Sequence, residues 1–233
     1  MKEINEIALI LFARLGSTRI KQKMIKPFCD TSLLEISIKK ILKSAVIPKE
    51  NIYLFAYETE LINIGTQYGV NILQRSEQSA NAESNIKEIH EWHDKLDYKY
   101  VTTFNACAPL LSIETIDDFL RYYMKSEYEG LFSVIEKKNF FWDTNHNLLT
   151  DPPKNRHAPN TKTMNTVYEA SHCLYASKVE WLKEGKWLGS FSKPNDPELY
   201  IMSEDEAFDI DYPWQFEIGE MLYSKLTQLP VES

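Results

Sequence analysis

The sequence predicts an α/β fold with a mostly parallel central sheet flanked by helices. Along the first 135 residues, short apolar runs alternate with segments whose apolar residues recur about one helical turn apart. Strands that alternate with helices are joined by right-handed crossovers, which cover both faces of a parallel sheet. A chain of 233 residues, of which 43% are hydrophobic, is long enough to bury the core of such a sheet.

Each predicted element has local support. The first strand, residues 7–13 (IALILFA), is a continuous apolar run that ends in turn residues, which is typical of a strand buried on both faces. Ser32 is placed to cap the first helix, with Glu35 at the capping-box position, and Pro48 ends that element. Further strands are predicted at 51–57, 70–73, 98–104 and 130–135, and helices at 60–68, 84–96 and 113–124.

The pattern weakens after residue 136. Residues 137–164 show no clear period, and a lid, a dimerisation arm and a plain surface excursion all fit them. Strands at 172–176, 199–202 and 208–210 and a helix at 214–226 are predicted beyond this segment. No Gly/Ser/Pro-rich linker and no internal repeat interrupts the chain, so we predict one domain, 1–233, with an irregular insertion at about 137–170.

Composition excludes several classes of protein. A net charge of −8 and a pI near 5.3 argue against nucleic acid or an anionic membrane as the main partner. The start of the chain lacks the features of a signal peptide, and no apolar stretch approaches the roughly 18 residues of a membrane span. With 3 Cys and no CxxC pair, we expect reduced thiols and a cytoplasmic protein. Only 7 Gly occur, and neither common glycine-rich phosphate motif is present.

A basic loop follows the first predicted strand. Residues 14–26 (RLGSTRIKQKMIK) hold five basic residues, and no acid occurs from residue 7 to residue 28. Ligands of parallel α/β sheets bind at the carboxyl ends of the strands, so this loop can present cations and free N–H groups to an anion. Arg suits bidentate phosphate contacts, and Lys acts as a point charge. The alternative is a solvated basic loop without a ligand.

Two carboxylates lie near the other end of the chain. Asp209 and Asp211 are two residues apart on a strand-like stretch, so they face the same side. Such a pair can hold Mg²⁺ while a nucleotide phosphate supplies the remaining oxygen ligands. The alternative is a polar strand end at which Asp211 or Tyr212 caps the helix ahead of Pro213. Together, the basic loop and the acid pair are the two halves expected of metal-assisted nucleotide chemistry.

Three segments resemble one known family. The segment ALILFARLGSTRIKQKMIKPF resembles the amino-terminal signature (I/L)xARxGSxRxxxKNxxxF of the CMP-sialic acid synthetases, or acylneuraminate cytidylyltransferases. The stretch NACAPL at 105–110 stands where that family has a QPTSPLR-like stretch, and EAFDIDYPWQFE resembles its (D/E)IDxxxDF ending. The three matches occur in the family's order and at its separation.

This resemblance implies a nucleotide-diphospho-sugar transferase (Rossmann-like) fold, Mg²⁺ as cofactor and a homodimer. The implied reaction transfers CMP from CTP to a small acidic acceptor, such as a nonulosonic acid, and releases pyrophosphate. Carried over residue by residue, the implied catalytic residues are Arg14, Lys23 and Asp211. The implied binding residues are Leu15, Gly16, Ser17, Arg19, Arg75, Ser84 and Asn85 for the nucleotide, Asp209 and Asp211 for the metal, and Asn105, Arg156, His157 and His172 for the acceptor.

The departures from the family pattern concern the acceptor side. Asn105 replaces the Gln of QPTSPLR, Leu111 replaces its Arg, and residues 171–175 (SHCLY) stand for the family's NGA(I/L)Y. We therefore predict an acceptor other than ordinary N-acetylneuraminic acid: another nonulosonic acid, or a smaller carboxylate or phosphonate. The insertion at 137–170 is a candidate for dimerisation or acceptor binding.

Two other functions remain as alternatives. A non-catalytic nucleotide-binding relative of the same fold is favoured by the altered acceptor motifs, but it would not need Arg14, Lys23 and both aspartates. A nucleotide-sugar-dependent glycosyltransferase usually has a mid-chain DxD motif after a strand, whereas Asp117 and Asp118 fall in a predicted helix.

Other candidate residues are interpreted as structural. His90 and His93 share a predicted helix, but no third metal ligand is in view. Cys107 has no evident base partner, so a nucleophilic role is not predicted. The tryptophans, including Trp187, are interpreted as core or dimer contacts rather than stacking platforms.

Overall fold

A seven-stranded sheet forms the centre of the molecule, in the order β3-β2-β1-β4-β6-β5-β7. The computed structural model describes residues 1–82, 85–150 and 161–228. The strands are β1 Ile7–Phe12, β2 Ile52–Ala56, β3 Asn71–Gln74, β4 Tyr100–Phe104, β5 Leu131–Lys137, β6 Val167–Lys178 and β7 Glu198–Ile201. The helices are α1 Leu33–Ile41, α2 Thr59–Tyr68, α3 Glu77–Asn81, α4 Ile86–Ile89, α5 Ile113–Lys125, α6 Val179–Lys183 and α7 Pro213–Gln228.

The sheet is mostly parallel, as predicted. Strand β1 pairs in parallel with β2 and β4, β2 with β3, and β5 with β7. Strand β6 is the exception, because it lies antiparallel between β4 and β5. Leu174 of β6 is therefore opposite Phe104 at the carboxyl end of β4. As a result, β6 carries side chains to the edge of the sheet where ligands of this fold class bind.

The apolar run of β1 is buried on both faces. Leu9 and Leu11 belong to a large core that includes residues of α1 and α5. Ala8 and Ile10 face a second, smaller core that includes Trp92. This two-sided burial explains why β1 is continuously apolar instead of alternating.

The predicted start of α1 is confirmed. The Ser32 hydroxyl accepts a hydrogen bond from the Glu35 N–H at 3.3 Å and donates one to the Glu35 carboxylate at 2.9 Å. The Leu34 N–H donates to the Met24 carbonyl at 3.1 Å, which ties the same turn to the basic loop. The cap thus fixes the position at which the loop returns to regular structure.

Two predicted elements were wrong. Residues 84–96 do not form one helix, because α4 ends at Ile89 and a separate 3₁₀ turn covers Glu91–Asp94. Residues 208–210 form no strand. The Ile210 N–H donates to the Cys107 carbonyl at 2.9 Å, and this tether to a loop replaces the ladder of bonds that a strand would make. The short helices α3 and α6 were not predicted.

The described parts of the insertion are partly exposed. Trp142 and Leu148 form an isolated bridge, and Trp142 stacks on Phe140 with ring centroids 5.8 Å apart. Arg156 and His157 fall within 151–160, outside the described residues. The roles assigned to this insertion remain predictions. Among the helices of the described ranges, none is long and apolar enough to cross a membrane.

Replacing Asp117 with Ala tests how α5 holds the turn after α1. The buried Asp117 carboxylate accepts the Ala45 N–H at 2.8 Å and also the Ser44 hydroxyl. Asp117→Ala should lower the free energy of unfolding by about 1–3 kcal/mol, because these donors lose a buried partner. Urea unfolding measures the change. Arg121→Ala, on the exposed side of the same helix, is the matched control, and equal stabilities for the two variants would contradict the assignment.

Candidate active site

The basic loop lines a cavity at the carboxyl edge of the sheet. This main cavity has a volume of about 670 Å³. The predicted site residues that line it are Arg14, Gly16, Ser17, Arg19, Lys23, Arg75 and Asp211. It is completed by Phe12, Ala13, Thr18, Met24, Asn81, Ala82, Ile89 and Cys107. The structure thus brings together most of the residues assigned to nucleotide binding and one of the two predicted metal ligands.

Lys23 joins the basic loop to the acidic segment. Only 8% of the surface of Lys23 is exposed. Its ammonium group donates to the Ile210 carbonyl and lies 3.3 Å from Asp211 Oδ1. Arg19 Nη2 approaches the same oxygen to 2.9 Å. Burial disfavours the charged form of Lys23, but Cys107, Asp211 and Asp209 outweigh it and leave its pKa above the ordinary value. Lys23 is therefore cationic at neutral pH.

Two guanidinium groups line the side of the cavity next to β3. Arg14 is exposed, and its Nη1 donates to the Ala80 carbonyl at 3.1 Å. Arg75 is buried and donates twice to Ser79, at 3.0 Å to the hydroxyl and at 2.6 Å to the carbonyl. Burial, reinforced by Arg14, lowers the pKa of Arg75 to about 10. Both groups therefore carry positive charge at neutral pH, as anion binding requires.

Asp209 carries the most exceptional carboxylate of the site. Its Oδ1 is buried and has no hydrogen-bond partner among the residues of the described ranges. Burial, and then the neighbouring Asp211, raises the pKa of Asp209 above its ordinary value. A buried carboxylate oxygen without a donor is unfavourable unless a cation compensates it. The residues present thus fit a hard divalent cation such as Mg²⁺.

The chain alone does not complete such a metal site. Within the described ranges, no group of three or more His, Cys, Asp or Glu side chains is arranged to hold a metal ion. Asp209 and Asp211 would supply two carboxylates, and the other oxygen ligands would have to come from a bound phosphate and water. This donor set matches the prediction of a cation held jointly by protein and nucleotide.

The loop after β4 is held from two sides. The Asn105 N–H donates to the Cys173 carbonyl at 2.8 Å, and its side-chain oxygen accepts the Cys107 N–H at 2.8 Å. From α1, the Lys40 ammonium donates to the Pro109 carbonyl at 3.1 Å. Burial raises the pKa of the Cys107 thiol to about 11, so the thiol stays protonated and does not act as a nucleophile.

Three further predicted residues, Leu15, Asn85 and His172, do not line the main cavity. The Leu15 N–H donates to Glu58 Oε1 at 2.7 Å, and Asn85 caps α4 by accepting the Lys87 N–H at 3.1 Å. His172 is exposed, with a φ of 55°, where the pairing of β5 and β6 shifts register. His172 is among the groups that lower the pKa of Asp209, which indicates that it lies near the acid pair. Ser84, like Arg156 and His157, lies outside the described residues.

Sequence reasoning missed several residues of the site. Phe12 lies at the end of a predicted strand and Glu58 follows one, and that position was the available signal for these two. Asn81 is the last residue of α3, a helix that was not predicted. Trp187 was interpreted as a core or dimer contact, but it lines a second cavity beside the main one, together with Tyr175 and Asn105. No feature of the sequence marks this cavity, because its walls come from β4, β6 and the segment after α6.

The mostly parallel sheet and the cationic cavity at its carboxyl edge suit a nucleotidyltransferase, because ligands of this fold class bind at that edge. The family model described as Cytidylyltransferase matches residues 8–184, so the chain belongs to the cytidylyltransferase family. This membership, and not the fold alone, separates it from the glycosyltransferases considered above. It also favours an enzyme over a non-catalytic relative.

Individual relatives agree with this membership. The chain is 23% identical over 227 residues to the pseudaminic acid cytidylyltransferase of Campylobacter jejuni subsp. jejuni serotype O:23/36 (strain 81-176), covering 92% of this chain and 94% of that protein. Among solved structures, it superposes with a TM-score of 0.66 on a CMP:2-keto-3-deoxy-manno-octonic acid synthetase complexed with CTP, at 10% identity, covering 94% of this chain and 99% of the other. A cytidylyltransferase from Leptospira borgpetersenii serovar Hardjo-bovis (strain JB197) gives a TM-score of 0.62 at 16% identity, covering 94% and 87%.

Lys23→Ala should weaken CTP binding by about tenfold or more, because a charge-assisted contact to phosphate contributes roughly 1.5–3 kcal/mol. Titration calorimetry with CTP measures the effect. Lys21→Ala is the matched control, since Lys21 belongs to the same loop but is exposed and does not line the main cavity. Equal loss of affinity in both variants would show that the loop acts only through its overall charge.

Lys40 should make stability depend on alkaline pH. Burial lowers its pKa from 10.5 to about 8. Between these values the folded chain has lost the Lys40 proton while the unfolded chain still holds it, so stability rises with pH in that window. Relative to Lys40→Met, the wild type should therefore gain about 2–3 kcal/mol in the free energy of unfolding between about pH 7 and pH 10. Urea unfolding at several pH values measures the difference, and parallel pH profiles for the two proteins would contradict it.

Proposed function

We propose that this protein is a Mg²⁺-dependent cytidylyltransferase that transfers CMP from CTP to a nonulosonic acid and releases pyrophosphate. The observation that carries the proposal is that basic side chains and carboxylates contact each other at one edge of the sheet. Lys23 and Arg19 from the loop after β1 meet Asp211, two residues from Asp209, whose buried Oδ1 has no hydrogen-bond partner among the described residues. An anionic nucleotide would pair with the cationic side chains, and a divalent cation would pair with the carboxylates. Either ligand alone would leave one of these two sets of charges without a counterion.

The acceptor is proposed from the relatives. The Campylobacter jejuni protein is named for pseudaminic acid, and it aligns over 92% of this chain. A Campylobacter coli relative, 22% identical over 230 residues, is named post-translational flagellin modification protein B. Pseudaminic acid is therefore the first acceptor to test, which also agrees with the altered motifs at Asn105 and residues 171–175.

The residues of the main cavity have distinct proposed roles. Arg14, Arg19 and Lys23 hold the triphosphate, and Arg75 lies beside the nucleoside. The Arg19 and Lys23 contacts to Asp211 keep the cations in place before the nucleotide arrives, and phosphate oxygens then compete for them. Asp209 and Asp211 hold Mg²⁺, which when bound offsets phosphate charge and lowers the pKa of the attacking hydroxyl.

The proposed reaction is a single in-line displacement. A hydroxyl oxygen of the acceptor forms a bond to the α-phosphorus of CTP as the bond to the pyrophosphate oxygen breaks, and the hydroxyl proton is released. No covalent enzyme intermediate is needed, and the protonated Cys107 thiol offers no nucleophile for one. A homodimer and a cytoplasmic location remain predictions.

Pyrophosphate release with CTP, Mg²⁺ and a panel of acceptors tests the proposal. We expect turnover with pseudaminic acid and much weaker turnover with N-acetylneuraminic acid. Best turnover with N-acetylneuraminic acid would contradict the acceptor assignment, and no turnover with any acidic sugar would contradict the function.

Asp209→Asn and Asp211→Asn should each lower kcat by about 100-fold or more while the fold is kept, because a metal-binding carboxylate is lost. Pyrophosphate release at several Mg²⁺ concentrations measures the loss. Asp205→Asn, an exposed change in the same acidic segment, is the matched control. Full activity of the Asp211 variant would remove the metal assignment.

A further inference from the structure

A second cavity, the adjoining cavity, opens beside the main one. Its volume is about 250 Å³, and it shares Phe12, Ile89 and Cys107 with the main cavity. Asn105 lines it, and the Asn105 side chain is among the groups that lower the pKa of Asp209, so it lies close to that carboxylate. A molecule in the adjoining cavity therefore reaches the acid pair, so this is where an acceptor can lie while one of its hydroxyls meets CTP.

The walls of the adjoining cavity are aromatic and uncharged. Four aromatic residues, Phe12, Phe104, Tyr175 and Trp187, line it. Among the described residues that line it there is no Asp, Glu, Lys or Arg side chain. An aromatic, neutral enclosure of this kind favours the part of a ligand that is itself neutral and partly apolar.

His90 supplies a buried polar group in this wall. The residue is 6% exposed, and its ring packs edge-on against Phe12, with centroids 5.2 Å apart. Burial, and then the charges of Arg75 and His93, lowers the pKa of His90 to about 3, so the imidazole is neutral under working conditions. Its Nδ1 is buried without a hydrogen-bond partner among the described residues. A buried polar atom without a partner is unfavourable, and a ligand that supplies a hydrogen-bond partner would remove this cost.

The same surroundings reject a cation. Arg75 acts on His90 electrostatically, and its guanidinium lies 5.6 Å from the centre of the Phe12 ring that both cavities share. A protonated amine in the adjoining cavity would be desolvated and would meet no carboxylate in its wall. A neutral amide, in contrast, can donate to or accept from an imidazole nitrogen, so it suits either tautomer of His90.

We propose that His90 is a specificity-determining residue that recognises a neutral acylamino substituent of the acceptor in the adjoining cavity. This inference rests on the proposed function and goes further, because it names the substituent that is selected and the residue that selects it. The sequence alone favours a structural role for His90, because it shares a predicted helix with His93 and has no third metal ligand in view. Its burial and its place in the cavity wall assign it this role instead.

Acceptor analogues test the selection on the wild-type enzyme. Pseudaminic acid is compared with analogues in which one acetamido group is replaced by the free amine, and pyrophosphate release is measured with CTP and Mg²⁺. At one of the positions, the free amine should lower kcat/KM by about tenfold or more. Equal kcat/KM for every analogue would overturn the inference while leaving the proposed function intact. No turnover with any acceptor would instead overturn both.

Variants assign the selection to His90. His90→Phe keeps an aromatic ring but removes both nitrogens, so it should reduce the preference for the acetamido acceptor several-fold without changing the KM for CTP. His90→Asn keeps a polar atom near Nδ1 and should retain part of the preference. His93→Phe is the matched control, because His93 does not line the adjoining cavity. An unchanged preference in His90→Phe would overturn the assignment.

A spectroscopic measurement covers the case in which His90→Phe does not fold. In the wild-type protein labelled with ¹⁵N-histidine, adding pseudaminic acid should shift the ring nitrogen resonances of one neutral histidine, as a new hydrogen bond forms. His93→Phe and His90→Asn identify that histidine. Resonances of His90 that stay unchanged at a saturating acceptor concentration would overturn the inference.

Discussion

The buried ammonium group of Lys23 holds the site together. It joins a loop near the start of the chain to a carbonyl and a carboxylate 187 and 188 residues further on. Residues 208–211 are not part of the sheet, and one carboxylate oxygen of Asp209 is buried there without a donor among the described residues. The burial of Lys23 is offset by its hydrogen bond to the Ile210 carbonyl and by the nearby carboxylates of Asp211 and Asp209, which favour its charged form. Lys23 and Arg19 can also exchange their contacts with Asp211 for contacts with a triphosphate, because a triphosphate has more negatively charged oxygens.

Charge separation explains how an acidic protein can serve an anionic substrate. The net charge of −8 averages over five basic residues at 14–26 and five acids between residues 204 and 211. Arg14, Arg19 and Lys23 of the first group meet Asp211 of the second in the main cavity, where a small anion and its counter-cation experience the local field instead of the average. The scarcity of glycine has a related consequence. With Gly16 as the one glycine of the loop, side chains of Arg and Lys, more than backbone N–H groups, line the cavity.

The antiparallel strand β6 supplies part of the wall of the adjoining cavity, whereas none of its described residues lines the main cavity. Because it lies between β4 and β5, it brings Tyr175 and His172 to the edge at which the parallel strands end. The shift of register beside Phe132 redirects the chain there, as bulges near functional sites do. On one side of this edge the cavity walls are cationic, and on the other they are aromatic and neutral. The two substrates of a transferase require such different surroundings within one site.

The sequence by itself determined the parallel sheet, the start of α1 and the charged residues of the main cavity. These features depend on local patterns: a continuous apolar run, a capping Ser32, and a motif that keeps Arg14 and Lys23 at fixed spacing. Only the tertiary structure decided what the segment 208–211 and His90 do. A strand-like pattern at 208–210 could not show that the partner of Ile210 would be a loop carbonyl. The histidine spacing could not show that the pattern breaks after α4, because burial and cavity walls depend on contacts between residues far apart in the chain.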